Sequence, residues 1–290
     1  MTEADFPAGR DLAGYESKYD RRVISDMIVR IIGYVILAFM SGLLLAIVGF
    51  VALKGLGVMT VKMLTTVGNT QTGGLANAIA GTWELVLTGL LLAVPVGMFG
   101  ALYLSEYSSR VSGGVLRLFV DVLTSIPSIV LGLFGYLVLV IQLGLGYSLI
   151  AGGVTLGVMM IPYVLRISEI SYSNIPRQTR EAAYALGADN FQISFRLLIP
   201  QARAGILTGV LLAVSIAAGE TAQLLYTALF NNGYTTSFLG QPVAYLTYVV
   251  YYSLQQNTVY ARSMAYSAAL VLVTSIFSIL LVSKYISRIR

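Results

Sequence analysis

An all-α integral membrane protein with six transmembrane helices is the fold class this sequence predicts, on three observations. Apolar residues fill 57% of the 290 positions and charged residues only 11%, where soluble domains carry roughly a quarter, and mean hydropathy is +0.81. Six runs are long and apolar enough to cross a hydrocarbon core of roughly 30 Å at ~1.5 Å per residue. Lysine and arginine collect on alternate connections between those runs.

The first run, Ile31 to Leu53, follows a polar and charged segment, residues 1–30. That segment is far longer than the basic region of a secretory signal, so it reads as a cytoplasmic N-terminal segment ahead of an uncleaved helix. Residues 31–290 then form one six-span domain. The second run, Thr82 to Leu104, has Glu84 and Glu106 near its ends, from which the carboxylates can reach the interfaces. In the third, Leu118 to Leu143, Asp121 stands one turn from Arg117, the spacing of a local ion pair. Pro127, Gly132 and Gly135 interrupt this run, and a missing N–H is tolerated in a span only where protein or water satisfies the freed groups. A pathway-lining role and an ordinary kink both fit the interruption.

The fourth run is Tyr147 to Ile167, the fifth Ala204 to Phe230 and the sixth Ser263 to Val282. Gly153-x-x-x-Gly157 and Gly205-x-x-x-Gly209 allow close backbone approach between helices. An ionisable group within a span costs ~2.5–3.5 kcal/mol at the bilayer centre and faces a partner or water. Glu220 is such a group, about 24 Å along the fifth run at ~1.5 Å per residue. Steps of four and three place Gly209, Ala213, Ile216, Glu220, Gln223 and Thr227 on one helical face, a small-to-polar stripe expected to meet protein or water.

One side of the membrane collects Arg10, Lys18, Arg21, Arg22 and Arg30, then Arg110 and Arg117, then Arg166, Arg177, Arg180, Arg196 and Arg203, then Lys284, Arg288 and Arg290. The other has Lys54, Lys62 and Arg262. Both termini and the Glu181 region are therefore expected in the cytoplasm. Trp83 and Tyr245, Tyr248, Tyr251 and Tyr252 then fall toward the outer face, where an aromatic belt is the expected reading.

The absences exclude whole classes. Without Cys or His there is no thiolate nucleophile, imidazole base or usual zinc or haem ligand set. No lysine follows Gly or precedes Ser or Thr, so no P-loop is present and ATP hydrolysis is expected on a separate subunit. No carboxylate pair or Ser-His-Asp arrangement suggests an enzyme, no cofactor is implied, and scattered basic residues beside apolar runs argue for a lipid membrane, not nucleic acid.

The polar segment between the fourth and fifth runs reads Glu181-Ala-Ala-Tyr-Ala-Leu-Gly187, then Asp189 to Arg196, closing Leu197-Leu-Ile-Pro200. Its Glu181, Ala182, Ala183, Gly187 and Pro200 resemble the EAA loop of ABC-importer permeases, which docks on an ATPase subunit; the loop region is expected at about 169–203. Residues Glu181 to Asn190 are expected to form a short helix whose N-terminal carboxylate suits the dipole, with Gly187 allowing close approach to a partner. Four further stretches extend the resemblance: Gly73 to Thr82; Val94-Pro-Val-Gly with Tyr103-Leu-Ser-Glu-Tyr107; Ile126-Pro-Ser-Ile-Val-Leu-Gly-Leu-Phe-Gly135; and Gly219-Glu-Thr-Ala-Gln-Leu-Leu-Tyr-Thr-Ala228. Together they resemble the A-type permease subunit of the phosphate-specific ABC importer. That resemblance implies type I importer architecture, a C-type second permease, ATPase subunits and an extracytoplasmic phosphate-binding protein as partners, and location in the cell membrane. It carries a translocation-path assignment for Pro127, Ser128, Arg166, Glu220, Thr221 and Gln223.

The chain departs from this pattern where Ile199 stands for Leu before the closing Pro, Gln223 for a common Pro, and Ile216 for a common Arg. Loss of a cation bears on anion selectivity, because phosphate is held by charge-assisted donors. Permeases for molybdate, tungstate or sulfate, and a proton-coupled secondary carrier, are the alternative expectations; the carrier leaves the Glu181 loop without a purpose.

Overall fold

The structure, a computed structural model, describes residues 12–68 and 73–288, with side chains over 26–68 and 73–286. Arg10 and Arg290 lie outside the described residues. The chain divides into two compact units, residues 1–51 and 52–290.

In the first unit the helix α1 (Leu12–Leu56) begins well before Ile31. Good helix formers such as Glu16, Lys18 and Arg21 let it continue from the polar segment into the apolar run. From Asp26 its candidate span holds an 18-residue stretch of mean hydropathy 2.7 in which no residue is buried. A helix apolar on all sides is what a lipid-facing span requires.

The second unit contains α2 (Val61–Thr65), α3 (Ala76–Leu102), α4 (Arg110–Ser125), α5 (Ser128–Gly135), α6 (Leu149–Ser173), α7 (Arg177–Ala185), α8 (Asn190–Gln192), α9 (Ile199–Ala218), α10 (Leu224–Thr227), α11 (Leu246–Gln255) and α12 (Val259–Arg288). Wider π-helical turns extend α3 through Tyr103–Tyr107, extend α5 through Tyr136–Gln142, and join α8 to α9 through Ile193–Leu198. Among the described residues five helices are long and apolar enough to cross a membrane. A sixth crossing is counted only if the pair 110–125 and 128–142, bent by 98°, is one span.

Packing follows the small residues. Helix α3 runs against α6, where a Cβ on Gly89 would meet the Gly153 carbonyl at 3.0 Å and one on Gly157 would meet the Gly89 carbonyl at 2.8 Å. The Gly153-x-x-x-Gly157 motif thus seats one backbone on another. Three apolar layers stack along the unit. Leu85, Leu156, Met160 and Ala213 form the middle; Leu102, Tyr172, Leu198 and Ala202 form one end; Leu75, Ala244, Leu246 and Met264 form the other.

Four expectations are corrected. The third run is no straight span, because Pro127, extended at φ −55 and ψ 135, ends α4's direction and starts α5. The fifth run stops at Ala218; beyond it the chain turns, and the Thr247 hydroxyl donates to the Glu220 carbonyl at 2.8 Å. The stripe from Gly209 to Thr227 is therefore no single helical face. The helix leading into the fifth span starts at Asn190, not Ala204, because Asp189 and Gln192 form a reciprocal capping box, and residues 169–173 belong to α6. Tyr245 does not join an aromatic belt: it is buried, 1% exposed, and meets Phe230 and Tyr248 edge-to-face, while Tyr248 stacks on Phe230 and Tyr252.

Candidate functional site

Two features concentrate the polar chemistry: the segment between α6 and α9, and the meeting of α5 with residues 219–227.

Helix α7 begins at Arg177 after Pro176, not at Glu181, so Glu181 lies mid-helix and accepts from Arg177 Nε at 2.8 Å. The helix ends in a Schellman turn: Ala188 N–H donates to the Ala183 carbonyl at 3.1 Å and Gly187 N–H to the Tyr184 carbonyl at 2.9 Å. Gly187 has φ +82, and an added Cβ would meet nothing within 4 Å. Its glycine serves the left-handed backbone, not close approach to anything in this chain. The chain re-enters helix at the Asp189 cap, where Gln192 N–H donates to Asp189 Oδ1 at 2.7 Å. Pro200 stands at the start of α9, where the π-helical turn ends.

The loop's outer surface is open. No residue of α7 is buried, Ala182 is exposed and Ala183 half-buried, and Tyr184, Leu186 and Phe191 are 52%, 89% and 67% exposed. Its base is clamped. Arg180 Nη2 donates to Glu106 Oε1 at 2.7 Å and to the Tyr172 carbonyl at 2.9 Å, while Nε donates to Glu106 Oε2 at 3.0 Å and Nη1 to the Ile175 carbonyl. One guanidinium thus binds a carbonyl in the last turn of α6 and another just beyond the helix, and ties the loop to the end of α3. Tyr107, whose hydroxyl lies 2.7 Å from Ser194 Oγ and donates to the Asn190 carbonyl at 3.2 Å, adds a second tie. The sequence singled out neither Arg180 nor Tyr107; the usable signal was a carboxylate at a span end, Glu106, facing a basic loop.

Charges between α4 and α6 also re-pair. Arg117 Nε donates to Glu169 Oε1 at 2.8 Å and Asp121 accepts from Arg166, whose Nη1 lies 3.8 Å from Glu169 Oε2. The local Arg117–Asp121 pair expected from spacing does not form. Glu169, only 12% exposed at its side chain, draws both arginines because a buried carboxylate has the most to gain from cations.

At the broken helix, Pro127 is exposed and Ser128 half-buried. Ser128 is a neighbour of the carboxyl of Glu220, and Thr221, next in the chain, is also half-buried. A Cβ on Gly132 would lie 2.4 Å from Gln223 Cα, so the glycine admits the 219–227 segment against α5. Gln223 is fully buried, donates from Nε2 to Met159 Sδ at 3.2 Å, and has Oε1 without a partner among the described residues. The structure thus brings Pro127, Ser128, Glu220, Thr221 and Gln223 to one junction, while Arg166 belongs to the ion-pair chain on α6. No cluster of three or more metal-ligating residues exists among the described residues.

An exposed helical hairpin braced on long polytopic helices is the arrangement of a transport permease, and the comparisons agree. The family model described as binding-protein-dependent transport system inner membrane component matches residues 93–288, and the chain belongs to that family of multi-pass membrane permeases. Within it the chain resembles the phosphate transport system permease proteins PstA. It is 39% identical over 216 residues to PstA 2 of Mycobacterium bovis, covering 74% of this chain and 72% of that protein. It is 38% identical over 202 residues to PstA of Yersinia pestis, covering 68% of each. It is 31% identical to the probable PstA of Methanocaldococcus jannaschii, over 91% of this chain and 94% of that one. Among solved structures, the inward-facing MetNI methionine ABC transporter aligns at a TM-score of 0.54 and 21% identity, over 74% of this chain and 93% of that chain. An amino acid ABC transporter crystallised with histidines aligns at 0.55 and 19%, with the same coverage. These two share the fold.

Proposed function

We propose that this chain is the A-type permease of an ATP-driven importer of inorganic phosphate, with both termini and α7 in the cytoplasm. The observation that carries the coupling role is the contrast within the α6–α9 segment: an outer surface with Tyr184 and Leu186 exposed, on a base held by the Arg180–Glu106 pair. A surface that presents apolar side chains to water suits a protein partner, and a rigid base transmits that partner's movement to α3, α6 and α9. The ATPase subunits take this role, with Glu181, Ala182, Ala183, Gly187 and Pro200 shaping the contact.

A C-type permease completes the path, and an extracytoplasmic binding protein delivers phosphate. In this chain the path is assigned to Pro127, Ser128, Arg166, Glu220, Thr221 and Gln223. Glu220 does not bind phosphate, since like charges repel; it orients a donor, with Ser128 as its neighbour here. Phosphate is favoured over other oxyanions by the relatives' names and by the Pro-Ser-Ile and Gly-Glu-Thr-Ala stretches.

The test is reconstitution with the ATPase, partner permease and binding protein in vesicles. ATP-dependent uptake of labelled phosphate, uncompeted by molybdate, tungstate or sulfate, is expected. Uptake that follows one of those anions instead overturns the phosphate assignment, and uptake driven by a proton gradient without ATP overturns the importer.

A further inference from the structure

The C-terminal end of α12 and the start of the fifth span enclose a cleft of about 610 Å³, lined by Arg196, Pro200, Arg203, Ala204, Leu207 and Ile286, among others. Its volume lies within the range of small-molecule sites. Arg196 and Arg203 lie seven residues apart with Pro200 between them, and all three line this one cleft. Both are exposed, and neither makes a hydrogen bond or ion pair among the described residues. Other basic residues of this region, Arg117, Arg166, Arg177 and Arg180, are all paired with carboxylates.

Position decides what such a pair of cations meets. The cleft lies in the first part of the candidate span 190–218, whose 29 residues exceed the roughly 20 a crossing needs, and at the end of the candidate span 259–286, so it opens near a boundary between hydrocarbon and water. Leu207 and Ile286 supply an apolar wall toward the hydrocarbon, and two guanidinium groups supply the polar rim. We infer that this cleft binds the headgroup of an anionic phospholipid, with the phosphodiester held by Arg196 and Arg203 and an acyl chain against Leu207 and Ile286. Guanidinium forks match phosphate oxygens bidentately, and a basic pocket between spans at a membrane face is the setting in which such headgroups bind.

The inference does not rest on the transported substrate, and its readout is lipid retention. The full chain, purified in mild detergent with phosphatidylglycerol or phosphatidylcholine added, is examined by native mass spectrometry. Phosphatidylglycerol should be retained over phosphatidylcholine. The double variant Arg196→Gln with Arg203→Gln should bind it roughly ten- to thirty-fold more weakly, two cations near a membrane surface contributing about this much. The double variant to Lys, which keeps charge and controls for folding, should retain most of the binding. Equal retention by wild type and the Gln variant overturns the site. Displacement of the lipid by millimolar inorganic phosphate overturns the lipid assignment in favour of a free-phosphate site. Unchanged lipid retention with loss of ATPase co-purification in the Gln variant overturns it in favour of a protein-docking surface.

Discussion

Arg180 and Glu106 lie 74 positions apart in the chain and meet as an ion pair, Arg180 Nη2 2.7 Å from Glu106 Oε1, each side chain only 16% exposed. The same guanidinium also donates to the Tyr172 carbonyl in the last turn of α6 and to the Ile175 carbonyl just beyond it. Removing it leaves a mostly buried carboxylate without its cation and with only the Ser105 hydroxyl as donor, and takes a donor from each of two carbonyls. Arg180→Ala should therefore destabilise the purified chain by roughly 3 kcal/mol, whereas Arg177→Ala, whose pair with Glu181 is 89% and 59% exposed, should cost under about 0.5 kcal/mol. Thermal unfolding of both variants decides; equal midpoints would reduce the Arg180 pair to a surface contact.

Gly187 separates backbone conformation from bulk. With φ +82 and open space around it, a left-handed conformation is the requirement there. Gly187→Asn, which tolerates that region, should keep ATP-driven uptake. Gly187→Val should lose it, at a local cost of ~1–2 kcal/mol. Uptake lost in both variants, with membrane insertion intact, would mean that the docked partner needs the empty space.

Gly132→Ala places a methyl carbon 2.4 Å from Gln223 Cα, so α5 and the 219–227 segment must separate. The expected cost is about 1–3 kcal/mol, seen as a lowered unfolding midpoint. Gly114→Ala, where nothing lies within 4 Å, should be neutral. A neutral Gly132→Ala would show that the two segments are not held together.

Glu220→Gln keeps the shape and removes the charge, and should assemble yet transport phosphate poorly at matched expression. Because Ser128 is a neighbour of this carboxyl, Ser128→Ala should lose less activity in the Glu220→Gln background than in wild type. Strictly additive losses would remove the Ser128–Glu220 contact from the transport mechanism, and wild-type rates for Glu220→Gln would remove Glu220 itself.

Orientation is checked by reporters active only in cytoplasm. Fusion after Arg290 or insertion near Asp189 should give signal, and insertion near Asn257 should be silent. The reverse pattern would place α7 outside and end the ATPase-docking role.

The membrane class, most span positions and the polar α6–α9 segment were legible in the chain, because hydropathy is summed over local windows. Gly153-x-x-x-Gly157 was legible for the same reason: its spacing already places two small residues on one helix face. Partner choice was not. Arg117 and Asp121 have the spacing of a helical pair, yet each takes a partner on α6, since α6 carries Glu169 and Arg166 to them and a buried carboxylate outcompetes an exposed one. Nor was the end of the fifth span at Ala218 legible in a run apolar through Phe230. There Thr247, Gly132 and Met159, distant in sequence, draw residues 220–223 away from the helix axis. Periodicity records the preference of each segment alone, and these turns arise only when separate segments compete for the same hydrogen bonds and the same space.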